Sequence, residues 1–182
     1  MNTLVLVSGG IDSTACVDFF QRRGDQVHGL FVDYGQAARV QEAEAVMKMS
    51  NHYSIPVEMV VLDSRSEFLT GEIMGRNLFL LATGLMLYPF TSGGLALGIH
   101  SGTHYYDCSS GFIMAANQIV TEYSSGTIQL VAPFVDISKP NVYKYAVANS
   151  IPIELTYSCE LGVVPPCGQC LSCQDRNDLI AS

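Results

Sequence analysis

The chain has 182 residues, enough for one compact domain with a sizeable core. Apolar residues make up 48% and charged residues 14%, which excludes a disordered or fibrous chain. Nine Lys+Arg against seventeen Asp+Glu leave a net charge of −8. A phosphate-neutralising basic face is therefore not expected, and neither is a nucleic-acid substrate.

In chain order, Thr3–Val7 is a short β-branched and Leu-rich run closed by a Gly turn, and reads as a buried parallel strand. Ile11–Arg23 has helical apolar spacing and ends at Gly24. Val27–Val32 is a second strand, Ala37–Ser54 a helix stopped before Pro56, and Val57–Leu62 a third strand. Asn77–Tyr88 is an apolar helix ended by Pro89, and Gly94–Ile99 a fourth strand that opens into the loop Ser101–Ser110. Gly111–Tyr123 is helical and Thr127–Ala132 a fifth strand. Ser138–Ser150 is a helix with Pro140 in its first turn, where the missing N–H costs little. From Thr156 the tail reads as loop. The apolar stretch Leu78–Phe90 holds Thr83, Gly84 and Pro89 and is too short to span a bilayer. The N-terminus has no basic residue before Leu4–Val7, so no signal peptide is expected.

Strands alternating with helices imply an α/β fold, a doubly wound, mostly parallel sheet. The expectation is one domain over residues 1–182 with a metal-binding segment at 156–176. Ligands of such sheets bind beyond the carboxyl ends of the strands. That singles out Ser8–Ser13, Asp33–Gln36 and His100–Cys108.

The first of these runs strand, Ser8-Gly9-Gly10, then Ile11-Asp12-Ser13 opening a helix. Two glycines allow close backbone approach to an anion, and the helix N–H groups point at it. Ser8 and Ser13 offer hydroxyl donors. Asp12 suits an anion site only with Mg²⁺ between carboxylate and phosphate. The alternative is a tight turn with Asp12 or Ser13 as helix cap. A Walker loop is excluded, since no Gly-Lys-Ser/Thr follows.

Of six cysteines, four are spaced C-x7-C-x2-C-x2-C: Cys159, Cys167, Cys170 and Cys173. Four thiolates so spaced can close a tetrahedron around Zn²⁺. An iron–sulfur cluster and a redox dithiol are the alternatives. Clustering without an export signal points to a reducing, cytoplasmic setting. Cys16 reads as core, and the place of Cys108 stays open.

These segments resemble the QueC family of the ATP pyrophosphatase (PP-loop) superfamily. Ser8–Ser13 resembles its SGGxDS loop, and the cysteines its CGxCxxC tail. Phe31–Gln36 resembles FDYGQ, Gly75-Arg76-Asn77 the P-G-R-N segment, and Tyr106-Asp107-Cys108 with Phe112-Ile113 the YPDC…F-I segment. Pro133 through Lys139 resembles PL-x-x-x-x-K, Thr156–Cys159 resembles TWSC, and Arg176 follows the last cysteine as the family's Arg does.

The resemblance implies a fold of the adenine nucleotide α-hydrolase-like (HUP-type) kind. It also implies an ATP-dependent ligase that turns 7-carboxy-7-deazaguanine and ammonia into 7-cyano-7-deazaguanine, a queuosine precursor, through adenylated intermediates. ATP, Mg²⁺ and Zn²⁺ are the implied cofactors, and the enzyme is expected to be a homodimer that binds neither nucleic acid nor membrane. Ser8, Gly9, Gly10, Asp12 and Ser13 would hold pyrophosphate, and Phe31, Val32 and Asp33 would lie near adenine and ribose. Arg76 and Lys139 would neutralise the phosphates, with solvated surface charges as the alternative. Tyr106 and Asp107 are the candidates for the deazaguanine base, and Asn77 is either cap or ligand. His104 is read chiefly as making a structural bond.

The chain is shorter than a typical member, and the family's Arg and Glu after the loop cysteine are absent, Ser109 and Gly111 standing near those positions. Specificity is decided by such residues. The altered loop therefore also fits a QueC-like paralogue of an antiphage system that stops at an amide or joins the deazaguanine to another amine, including one on a protein partner. A nucleotide-binding zinc module without turnover is the alternative of another class.

Overall fold

The computed structural model describes residues 1–62, 68 and 71–181. Five parallel strands form one sheet in the order β3-β2-β1-β4-β5. They are β1 (Asn2–Leu6), β2 (Gln26–Asp33), β3 (Val57–Val61), β4 (Gly93–Leu97) and β5 (Ile128–Val131). β1 and β4 are Val/Leu/Ala-rich and buried on both faces, as helices above and below a parallel sheet require. The edge strand β3 carries exposed Glu58, Met59 and Val61.

The helices are α1 (Ile11–Arg22), α2 (Arg39–Tyr53), α3 (Arg76–Met86), α4 (Ser110–Tyr123), α5 (Lys139–Ala148) and α6 (Leu171–Ala181). One core cluster joins Val5, Val7 and Phe31 of the β1–β2 region to Phe20 of α1, Met49 of α2 and Val142 of α5. A second joins Leu4, Leu6 and Leu95 to Leu81 of α3 and Phe112 of α4. The sheet is therefore covered by two separate apolar clusters, as expected of a doubly wound fold. No helix among the described residues is long and apolar enough to cross a membrane.

One expectation fails in the tail. It is not loop throughout: Leu171–Ala181 is a helix, and a 3₁₀ turn at Ile153–Leu155 precedes the tail. The sequence of α6 has no strong apolar stripe, so periodicity does not reveal it. Its order comes from tertiary ties. Cys173 and Leu179 are buried, and the Arg176 guanidinium donates to the Thr156 and Ser158 hydroxyls and to the Ile153 carbonyl at 2.8, 3.2 and 2.9 Å.

Strand order reverses between β1 and β4, whose carboxyl ends carry Ser8 and His100. A crevice outside such a switch point is where open α/β sheets bind ligands. A cleft of about 380 Å³ opens there.

Candidate active site

The loop after β1 forms the floor of the cleft. Gly9 has φ 73°, and a Cβ there would lie 2.7 Å from the Glu42 carbonyl oxygen, so the loop packs against the first turn of α2 as only glycine allows. The hydroxyls brace the loop from within. Ser13 Oγ accepts from the Ser8 N–H at 3.2 Å and donates to the Gly10 carbonyl at 3.1 Å. Thr14 Oγ1 donates to the same carbonyl at 2.9 Å. At Gly98, just past β4, a Cβ would fall 2.6 Å from the Asp12 carbonyl oxygen, so the end of β4 lies flush against the start of α1.

Asp12 and Lys139, 127 residues apart, meet as an ion pair between Oδ2 and Nζ, their side chains 20% and 24% exposed. The other oxygen, Asp12 Oδ1, is buried and has no hydrogen-bond partner among the described residues. Buried polar atoms are nearly always satisfied, so an orphan at the mouth of an anion loop marks a place for a further ligand. A carboxylate oxygen suits a hard cation such as Mg²⁺.

Arg76 opens α3 and lines the same cleft. Its guanidinium meets the Tyr34 hydroxyl, whose pKa is raised by burial. Glu42 lies close by, its carboxyl pushed up by burial although Gln36 Nε2 donates to Oε2 at 2.8 Å and Arg76 attracts its charge. Cys108 also lines the wall, its thiol pushed up by burial.

The expected residues divide. Ser8, Gly10, Asp12, Ser13, Phe31, Val32, Arg76 and Lys139 line the one cleft, with Gly9 directly behind it. Asp33, Tyr106 and Asp107 lie outside the lining. Asp33 Oδ1 accepts from the Gly35 N–H at 2.9 Å and Oδ2 faces Arg39. Tyr106 is 66% exposed and packs edge-on against Phe112. Asp107 Oδ2 accepts from the Asn77 N–H at 3.1 Å, satisfying a free donor of the first turn of α3. Asn77 is buried, and its amide donates to the Asp107 carbonyl at 2.9 Å, so it ties loop to helix. His104 is exposed and outside the lining. Glu42 lines the cleft without having been singled out, and Gln36, His100 and Ser158 line it from segments that the sequence marks only as whole runs. No spacing marks them, because three elements and the tail bring them together.

The tail forms the remaining wall. The Sγ atoms of Cys159, Cys167, Cys170 and Cys173 all lie within 4.8 Å of one another, and those of Cys167 and Cys173 are 3.9 Å apart. Zn–S bonds of 2.3 Å place tetrahedral sulfurs about 3.8 Å apart. At Cys159 burial opposes ionisation, but the N–H groups of Cys167 and Leu161 outweigh it and hold the thiol down at about 6. The donor set therefore fits a closed, thiolate-held metal ion. Tyr157, two residues before Cys159, donates its N–H to the Gly9 carbonyl at 2.9 Å. Glu160 Oε1 accepts from the Ser172 N–H and hydroxyl.

An open parallel sheet, a diglycine loop at its switch point and an Asp–Lys pair beside it have the arrangement of the PP-loop ATP pyrophosphatase class. Solved structures agree on the fold. U34-tRNA thiolase NcsA from Methanococcus maripaludis, solved with its 4Fe-4S cluster, superposes with a TM-score of 0.57 at 18% identity, over 98% of this chain and 64% of that one. NMN synthetase from Francisella tularensis gives 0.53 at 16%, over 90% and 68%. The family model for "Queuosine biosynthesis protein QueC" matches residues 2–74 and 65–181, and the chain belongs to that family. It is similar to the 7-cyano-7-deazaguanine synthase of Persephonella marina, 27% identical over 98% of this chain and 92% of the relative. The synthase of Prochlorococcus marinus strain NATL2A is 29% identical over 96% and 91%. With this membership the chain is an ATP-dependent enzyme of the ligase type. The two family matches overlap at residues 65–74, between β3 and α3.

Proposed function

We propose that the protein activates the carboxylate of 7-carboxy-7-deazaguanine with ATP and, with ammonia, converts it to 7-cyano-7-deazaguanine. The observation that carries this is the orphaned Asp12 Oδ1 beside Lys139 at the diglycine loop, in one cleft with Arg76. The helix N-terminus and loop N–H groups receive the pyrophosphate end of ATP. Mg²⁺, when bound at Asp12, would neutralise phosphate charge. Lys139 and Arg76 then approach the phosphates from two walls and stabilise the charge that moves onto the leaving pyrophosphate. The attacking oxygen comes first from the carboxylate and later from the amide, and the leaving group is the same both times. The four cysteines would hold Zn²⁺ with no open position, which makes that site structural. Apolar Leu30, Phe31 and Val32 offer a surface for adenine.

Incubation with ATP, ammonia and 7-carboxy-7-deazaguanine, read by mass spectrometry, tests the reading. AMP, pyrophosphate and the nitrile are expected, all lost in Asp12→Ala; their absence from the wild type rejects it.

A second reading draws on the altered loop. Ser109, near the family's arginine position, caps α4 by accepting from the Phe112 N–H at 3.1 Å, so this position is spent on structure. An enzyme that stops at the amide, or passes the activated acyl group to an amine on a protein, is consistent with that change. In the same assay it gives amide or a mass adduct without nitrile.

A further inference from the structure

We propose that His100 is the proton acceptor for the nitrogen nucleophile, an assignment that rests on the ATP-dependent amidation read above. His100 lies just beyond β4, one of the two strands that flank the switch-point crevice, and lines the cleft. Two residues earlier, Gly98 lies flush against Asp12 at the phosphate loop. His100 thus stands two residues beyond the glycine that abuts the start of α1.

The ring is held in one tautomer. His100 Nδ1 lies 2.7 Å from the Ser101 carbonyl oxygen. A carbonyl only accepts, so Nδ1 carries the proton, and in the neutral ring the lone pair is on Nε2. Among the described residues Nε2 has no hydrogen-bond partner. Ser101 is itself fixed, since its N–H donates to the Ile137 carbonyl at 2.9 Å and it bridges Ser138, the residue before Lys139. The frame that orients the imidazole thus also carries the lysine that meets Asp12.

Of the other titratable groups of the cleft, several are engaged or protonated, while Asp175 is exposed on α6 in the tail. Asp12 is paired with Lys139, and Glu160 accepts two bonds from Ser172. Burial keeps the Cys108 thiol and the Tyr34 phenol in their protonated forms. Glu42 accepts from Gln36.

In the step, the nitrogen of ammonia adds to the carbonyl carbon of the acyl-adenylate. The C–N bond forms as a proton passes from that nitrogen to Nε2. The C–O bond to the AMP phosphate then breaks, its electron pair leaving with AMP, and the imidazolium returns its proton to solvent. A positioned base of this kind is worth about 10²–10⁴ in rate.

The test uses the full chain and the variants His100→Asn, whose amide keeps a donor toward Ser101, and His100→Gly. Two reactions are followed: exchange of labelled pyrophosphate into ATP that depends on 7-carboxy-7-deazaguanine, and ammonia-dependent formation of amide and nitrile. We expect exchange to stay near the wild-type rate, product formation to fall about 10²–10⁴-fold, and added imidazole to restore part of it in His100→Gly. Wild-type product formation in His100→Asn overturns the assignment, as does an equal loss of exchange and product. No carboxylate-dependent exchange in the wild type overturns the functional reading and the assignment with it.

Discussion

The Tyr157 N–H donates to the Gly9 carbonyl across 2.9 Å, which joins the cysteine-bearing tail directly to the diglycine loop. The same tail brings Ser158, Glu160 and Arg176 to the cleft wall. Gly162 fits so closely against the turn that leads into α2 that a Cβ would lie 2.3 Å from the Ala37 carbonyl oxygen.

Metal removal should therefore weaken nucleotide binding as well as stability. Without an ion, the four cysteines have nothing that fixes both sides of the tail, and the Tyr157–Gly9 bond is released with it. One such bond is worth about 1 kcal/mol net, and the lost wall adds to it. We expect a rise of about tenfold or more in the Kd of a non-hydrolysable ATP analogue, both after chelation and in Cys170→Ser. Titration calorimetry checks this; unchanged affinity in the metal-free protein removes the link.

Lys139 is the cation that meets Asp12 at the loop. Lys139→Met keeps the bulk of the stem and deletes the charge. Carboxylate-dependent pyrophosphate release should fall by about 10²–10³-fold. Lys139→Arg should recover part of it, because the charge returns in a different geometry. Stopped-flow detection of pyrophosphate measures both, and a methionine variant within threefold of wild type contradicts the role.

Much of this was legible in residues that are local in sequence. Ser8–Ser13 needs only a strand, two glycines and a helix start, and the four cysteines announce a cluster by spacing alone. Strands β1, β2 and β4 follow from short apolar runs that both faces bury. What escaped is what tertiary structure decides. Asp107 looks like a ligand in the sequence, yet its carboxylate is drawn to the bare N–H groups at the start of α3, a partner 30 residues away. His100 opens the segment His100–Cys108 that the strand pattern marks as a whole, but only the Ser101 carbonyl and the neighbouring chain at Ile137 give it a defined tautomer and place. Helix α6 has no apolar stripe and is held by Cys173 and Arg176.

Arg176 is half-sheltered and spends its guanidinium on three oxygens of the tail. Burial lowers its pKa, and it remains charged. Lysine cannot reach three acceptors in a planar fork. Arg176→Lys should cost about 2 kcal/mol, the scale for hydrogen bonds to a charged group. Urea unfolding of the metal-loaded protein gives the value. A change below 0.5 kcal/mol, the usual scatter of surface substitutions, would show that the cysteines alone order α6.

Glu42 gives a prediction in pH. Its carboxyl is raised chiefly by burial, against the pull of Gln36 and Arg76, with Asp33 adding to the rise. The folded protein thus holds this proton more tightly than the unfolded chain. The favourable contribution is fully present below the ordinary glutamate range and is lost as pH rises through the raised value. At neutral pH the charged form is a burden on the fold, whereas Glu42→Gln keeps the size and carries no charge. Glu42→Gln should therefore be more stable than wild type at pH 7, and the difference should shrink as pH falls toward the ordinary glutamate value. Melting temperatures of the two proteins across that interval measure it. A variant less stable than wild type at neutral pH would show that the charge is held by Gln36 and Arg76 more strongly than burial opposes it.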